Sequence, residues 1–115
     1  MSDSPDLSFP FGPQLTEIIG RVARARRDAL GLSPEELAER CGFEWTYVLE
    51  LERGVHDPEL DVIWRWARGL DMDPVELVRE ANEVLLAENP WYAEAVRRGR
   101  VNWMDVPEET DDPEE

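Results

Sequence analysis
The chain has 115 residues, with 27 aspartates and glutamates against 12 basic side chains and a formal net charge of -15. That length suits one domain with terminal extensions and leaves no room for a second. The single cysteine, Cys41, excludes an intrachain disulfide and a zinc-binding thiolate cluster and fits a reducing, cytoplasmic setting, and no stretch approaches the roughly 18 apolar residues of a membrane span.

Residues 1–12 are rich in Ser, Asp and Pro. They read as a flexible arm, with Phe9 and Phe11 available to pin it to the domain. Asp3 and Asp6 stand where a secretory leader would carry cations, so no leader is expected. A first helix follows Pro13. Its apolar positions Leu15, Ile18, Ile19, Val22, Ala25 and Ala29 recur at helical spacing, and Gly31 stops it.

The second helix opens with Ser33 as N-cap, Pro34 at the first helical position and Glu36 reaching back in a capping box. It ends near Cys41, and Gly42 makes the turn. Residues 44–52 form a third helix that buries Val48 and Leu51 and stops at Gly54. Asp57-Pro58 is expected to cap a fourth helix with Leu60, Ile63, Trp64, Ala67 and Leu70 on its core face. Asp73-Pro74 starts a fifth, running to about Ala87 on Val75, Leu77, Val78, Ala81, Leu85 and Leu86. A short sixth helix, 91–98, closes at Gly99. Residues 89–104 then form a helical extension to a main domain over 13–88. In the final segment, 105–115, seven of eleven residues are acidic and two are proline, a composition expected to stay disordered. With no alternating apolar run, the fold class is all-α.

The run from Leu32 to Phe43 followed by Tyr47 to Gly54 resembles the Cro/cI-type, or XRE, helix-turn-helix family. Ala38 is small where two helices cross, Gly42 permits the tight turn, and Val48 and Leu51 anchor the third helix. Gly54, Pro58, Leu60, Ile63, Ala67 and Leu70 extend the likeness, which spans residues 15–78. The resemblance implies a five-helix, lambda-repressor-like domain. It also implies that the third helix enters the major groove of double-stranded DNA and that Arg27 and Glu52 form a structural ion pair. The DNA-contacting positions it points to are Trp45, Thr46, Tyr47, Glu50, Arg53 and His56. Where the family commonly opens its second helix with glutamine, this chain has Pro34. Between Ser33 and Gly54 six glutamates face two arginines, a local charge of -4.

Chemistry at those positions is concrete. Glu50 can accept from cytosine N4, Thr46 and Tyr47 can meet base edges or thymine methyls, and Arg53 and His56 can touch phosphate. No catalytic set is expected. His56 lies beside an aspartate that capping already explains, Cys41 occupies an apolar core position, and the carboxylates lack the spacing of a calcium loop. The chain therefore reads as a non-enzyme without metal or cofactor.

A second reading stays open at this level: the same fold as a protein-interaction module with an acidic, aromatic face. Trp66 falls off the expected core stripe, and with Trp91, Tyr92 and Trp103 it forms a candidate interface for a homodimer or a protein partner. The alternative is that these rings pack on one another as the extension folds over the domain. Residues 105–115 can also imitate phosphate and shield the arginines. A DNA reader should keep Arg21, Arg40 and Arg53 on one surface with the third helix. A protein binder should join Trp45, Tyr47 and Trp66 in one exposed patch.

Overall fold
The computed structural model describes residues 11–99, which form six α-helices without a strand among them. α1 spans Gly12–Ala29, α2 Pro34–Cys41, α3 Trp45–Arg53, α4 Leu60–Gly69, α5 Pro74–Glu88 and α6 Pro90–Arg97. Phe9, Trp103 and the acidic segment 105–115 lie outside the described residues. No described helix is long and apolar enough to cross a membrane.

Capping sets several boundaries. Ser33 Oγ accepts from the Glu36 N–H at 3.0 Å and Glu36 Oε1 accepts from the Ser33 N–H at 2.8 Å, closing a reciprocal box at the start of α2. Asp73 accepts from the Val75 N–H at 2.8 Å to open α5. Gly42 sits at φ 76°, the left-handed region. There it lets the Phe43 N–H reach Ala38 O at 2.9 Å and turns the chain into α3 within three residues.

The start of α4 differs from expectation. Its N-cap is Glu59, without a side-chain cap. Asp57 instead accepts a 2.5 Å hydrogen bond from the Thr16 hydroxyl and ties the loop to α1.

The core faces of α1 and α4 also differ from a count of apolar residues. In α1 the buried set is Thr16, Ile18, Ile19, Gly20, Ala23 and Arg27, whereas Ala25 and Ala29 are exposed and Leu15 and Val22 only partly buried. In α4, Val62, Trp66, Ala67 and Gly69 are buried. Trp66 is 0% exposed, while Trp64 is 46% and Leu60 69% exposed. The helix is rotated so that Gly69, not Trp64, faces α2. Along α5 the inward residues are Leu77, Ala81 and Leu85, and Val75 and Val78 point outward.

Two glycines, Gly20 inside α1 and Gly69 at the last position of α4, explain these rotations. A Cβ on Gly20 would lie 2.5 Å from Leu51 O and 2.6 Å from Glu52 O, so α1 rests its backbone on the end of α3. A Cβ on Gly69 would collide with the Cys41 sulfur and approach Leu37 Cδ1 to 3.0 Å, so the end of α4 packs directly on side chains of α2. The close crossings outweigh the roughly 1 kcal/mol that glycine costs within a helix.

α6 closes the other end. Phe11 packs on Tyr92 and Trp91, with ring centroids 4.8 and 5.6 Å apart, so the residues before α1 and after α5 meet in one aromatic cluster. Glu88 accepts from Gln14 and Arg21 and holds α5 on α1.

Gly20→Ala should destabilise the domain by about 3 kcal/mol, because the neighbouring atoms are backbone and cannot swing away. Gly69→Ala should cost about 1–3 kcal/mol, and Cys41→Ala should recover part of that cost by removing the sulfur. Urea midpoints of the three single variants and of the Cys41→Ala, Gly69→Ala double variant would check this; strict additivity of the last pair would contradict it.

Candidate nucleic-acid interface
α3 is held from behind. Arg27 on α1 donates to Glu52 through Nε at 2.6 Å and through a second nitrogen at 3.0 Å, a two-point pair with both side chains buried. Its remaining nitrogen donates to Leu32 O at 2.9 Å. The Glu52 bond keeps the Arg27 guanidinium pKa above its ordinary value despite burial. With Val48 and Leu51 buried in the core, one side of α3 is fully committed to packing.

The other side is open. Trp45 is 47% exposed, and Thr46 and Arg53 are exposed, with Leu49 and Glu50 partly buried beside them. Residues 46, 49, 50 and 53 recur at helical spacing and share this outer face. Arg53 has no ion-pair partner among the described residues.

Tyr47 takes a different place. Its ring stands edge-on to Phe43 at 5.2 Å and lies 5.8 Å from His56, while Arg65 stacks over Phe43 at 4.7 Å. Burial first, then Glu59 and Asp61, raise the Tyr47 phenol pKa, so it stays a hydrogen-bond donor. His56 Nε2 lies 2.8 Å from Glu50 Oε1. The row Arg65, Phe43, Tyr47, His56 thus runs beside α3 and ends on Glu50.

The six glutamates between Ser33 and Gly54 are not equivalent. Glu52 is neutralised by Arg27, Glu36 is held in the capping box, and Glu50 faces His56. Glu35, Glu39 and Glu44 remain, lining a cleft between α2 and the start of α3 with Ala38, Phe43 and Trp45.

The arginines expected to share this surface mostly do not. Arg21 is paired with Glu88 at 3.1 Å. Arg40 donates to Gly69 O at 2.8 Å, which turns it toward α4. Only Arg53 of the three stands unpaired on α3. The aromatic patch fails too, because Trp66 is in the core. Of the other candidate interface rings, Tyr92 is buried and Trp91 partly buried against the core, and Trp103 is outside the described residues. Arg65 and Phe43 carry no sequence signal of their role. Arg65 donates to Cys41 O and Gly42 O at 3.2 and 2.7 Å, and no local pattern announces an arginine that seats on another helix's end. Among the described residues no cluster of three metal-ligating side chains occurs.

A helix locked on one side, a tight glycine turn before it and a free outer face define a helix-turn-helix protein. Residues 18–80 match the family described as a helix-turn-helix domain. An uncharacterised HTH-type transcriptional regulator of Sinorhizobium fredii is 39% identical over 70 residues, covering 60% of this chain and 90% of that protein. Another, from Methanothermobacter thermautotrophicus, is 42% identical over 55 residues, with 48% and 80% covered. Among solved structures, the restriction-modification controller protein C.AhdI of Aeromonas hydrophila is 39% identical with a TM-score of 0.53, covering 56% of this chain and 96% of that one. The clp gene regulator ClgR of Corynebacterium glutamicum is 25% identical with a TM-score of 0.63, covering 76% and 92%. The chain belongs to the helix-turn-helix family and is a small DNA-binding transcriptional regulator.

Glu52→Gln should cost about 3 kcal/mol in a urea titration, since it strands a buried guanidinium; replacing both partners by Met and Leu should recover much of the loss. A double variant as unstable as the single would count against that. Burial pushes the Cys41 thiol up to about 11, so at pH 8 almost no thiolate exists in the folded protein. Thiol-specific reagent should label Cys41 only as the domain opens, and labelling of the native protein at the rate of a free thiol would contradict this.

Proposed function
We propose that α3 lies in the major groove of duplex DNA, with Trp45, Thr46 and Glu50 toward base edges and Arg53 toward phosphate, and that two copies act together. The single observation supporting this most directly is the division of α3 into a side locked by Arg27, Val48 and Leu51 and an outer face, Trp45, Thr46, Glu50 and Arg53, left open to solvent. A reading helix needs both: rigidity fixes register, and an open face supplies donors and acceptors to the groove. Tyr47, packed between Phe43 and His56, contributes from the rim, its hydroxyl available to a phosphate or sugar oxygen.

Dimeric binding follows from reach. A nine-residue helix spans only a few base pairs, and paired half-sites about 34 Å apart would double the sequence read. A cytoplasmic location goes with this role. Gene regulation is the outcome of occupying such a site.

The test is retention of genomic fragments, the chain's own upstream region included, across a salt series. Selective retention with a negative dependence of log affinity on log salt is expected, and Arg53→Ala should make that slope shallower by about 1 per bound protomer. Absence of selective retention at low salt would reject the groove reading.

A further inference from the structure
The contact between His56 and Glu50 has no packing explanation. Both side chains are close to half exposed, at 47% and 43%, and His56 lies in the loop after α3, six residues along the chain. An exposed glutamate on a helix surface ordinarily samples many rotamers and gives an indistinct face to a ligand. Here Oε1 lies 2.8 Å from His56 Nε2, and the imidazole is itself steadied at 5.8 Å from the Tyr47 ring, which leans on Phe43 at 5.2 Å. Phe43 in turn lies beneath Arg65, anchored on the carbonyls that end α2. The carboxylate is therefore connected, ring by ring, to the rigid turn between α2 and α3.

We propose that His56 is a positioning residue that holds Glu50 toward the groove and makes it the specificity-determining acceptor of α3, selecting a base with an exposed exocyclic amine. This rests on the groove reading above. With Nε2 as donor, one carboxylate oxygen is occupied and the other stays free to accept. In the major groove a lone acceptor of this kind suits cytosine N4. Adenine's amine is flanked by the N7 acceptor, and guanine and thymine present carbonyl oxygens that repel a carboxylate. The imidazole also supplies the hydrogen bond that an unaccompanied carboxylate would lose on leaving water near phosphates. The two roles differ in kind: Glu50 touches the base, and His56 acts only through Glu50.

Selection of duplexes from a randomised pool by the full chain, followed by the same selection with variants, tests this. Wild type should enrich a site with C·G at one position per half-site. Glu50→Ala should lose preference at that position alone, by at least about fivefold. His56→Ala should lose most of the same preference and leave the other positions intact, whereas His56→Gln, which keeps a side-chain N–H, should restore it. A melting curve for each variant establishes that the domain is folded. If His56→Ala weakens binding evenly to all sequences while the C·G preference persists, His56 is a phosphate contact and the positioning role is overturned. If Glu50→Ala leaves every preference unchanged, Glu50 does not read the base and the inference falls while the groove reading stands. If wild type selects no sequence, the groove reading fails and takes the inference with it.

Discussion
The pair between Arg27 and Glu52 is the interaction on which the rest of the structure depends. It joins the last turns of α1 and α3 with two charge-assisted hydrogen bonds, away from solvent, and fixes how far α3 can roll about its axis. Gly20 fixes the distance, because only a residue without a Cβ lets α1 meet Leu51 O and Glu52 O so closely. Orientation and separation together decide which side chains of α3 face outward. A buried ion pair is weak evidence for net stability, since desolvation offsets most of the attraction. Its value here is geometric: a hydrophobic pair of the same volume would permit the helix to turn, and a two-point guanidinium to carboxylate contact does not.

Arginine does a second kind of work in this chain. Arg65 of α4 donates to the carbonyls of Cys41 and Gly42 at the end of α2, and Arg40 of α2 donates to Gly69 O at the end of α4. The two helices cap each other. Arg26 does the same for Leu70 O and Asp71 O beyond α4, at 2.9 and 3.0 Å. The C-terminal ends of helices carry partial negative charge and unsatisfied carbonyls, so cations there satisfy hydrogen bonds and the macrodipole at once. Four of the twelve basic residues are thereby committed to structure, Arg27 among them.

Elements with local signals are legible in the amino-acid sequence itself. The capping box at Ser33 and Glu36, the turn at Gly42 and the aspartate-proline start of α5 rely on neighbours within four residues. The face of α4 is not legible in this way. It is apolar at 60, 62, 63, 64, 66, 67 and 70, so two rotations bury comparable surface, and counting hydrophobic residues favours Trp64 over Trp66. The deciding residue is Gly69, which must meet the Cys41 sulfur. Likewise the buried set of α1 includes Thr16, Gly20 and Arg27, none of which an apolar count rewards. Glycines that face a neighbouring helix mark close crossings, a signal that hydrophobic periodicity passes over. The partnership of Glu50 with His56 is hidden for a different reason, because it depends on how the loop after Gly54 returns.

The negative charge bears on recognition differently from a simple sum. Seven of the acidic residues lie in segment 105–115, and three of the six glutamates around α2 and α3 already have partners. The outer face of α3 itself carries Glu50 and Arg53, with Glu35, Glu39 and Glu44 in the cleft beside it. Binding to arbitrary DNA derives almost wholly from phosphate contacts and counterion release, whereas binding to a cognate site adds base-edge contacts. A face poor in free cations weakens the first term far more than the second. For the proposed groove reading, the acidity that argues against DNA binding in general therefore widens the gap between the right site and all others. Orientation of α3, set by Arg27 and Gly20, matters more to such a protein than to one with cations in excess, because little general attraction is left to compensate for a misplaced base contact.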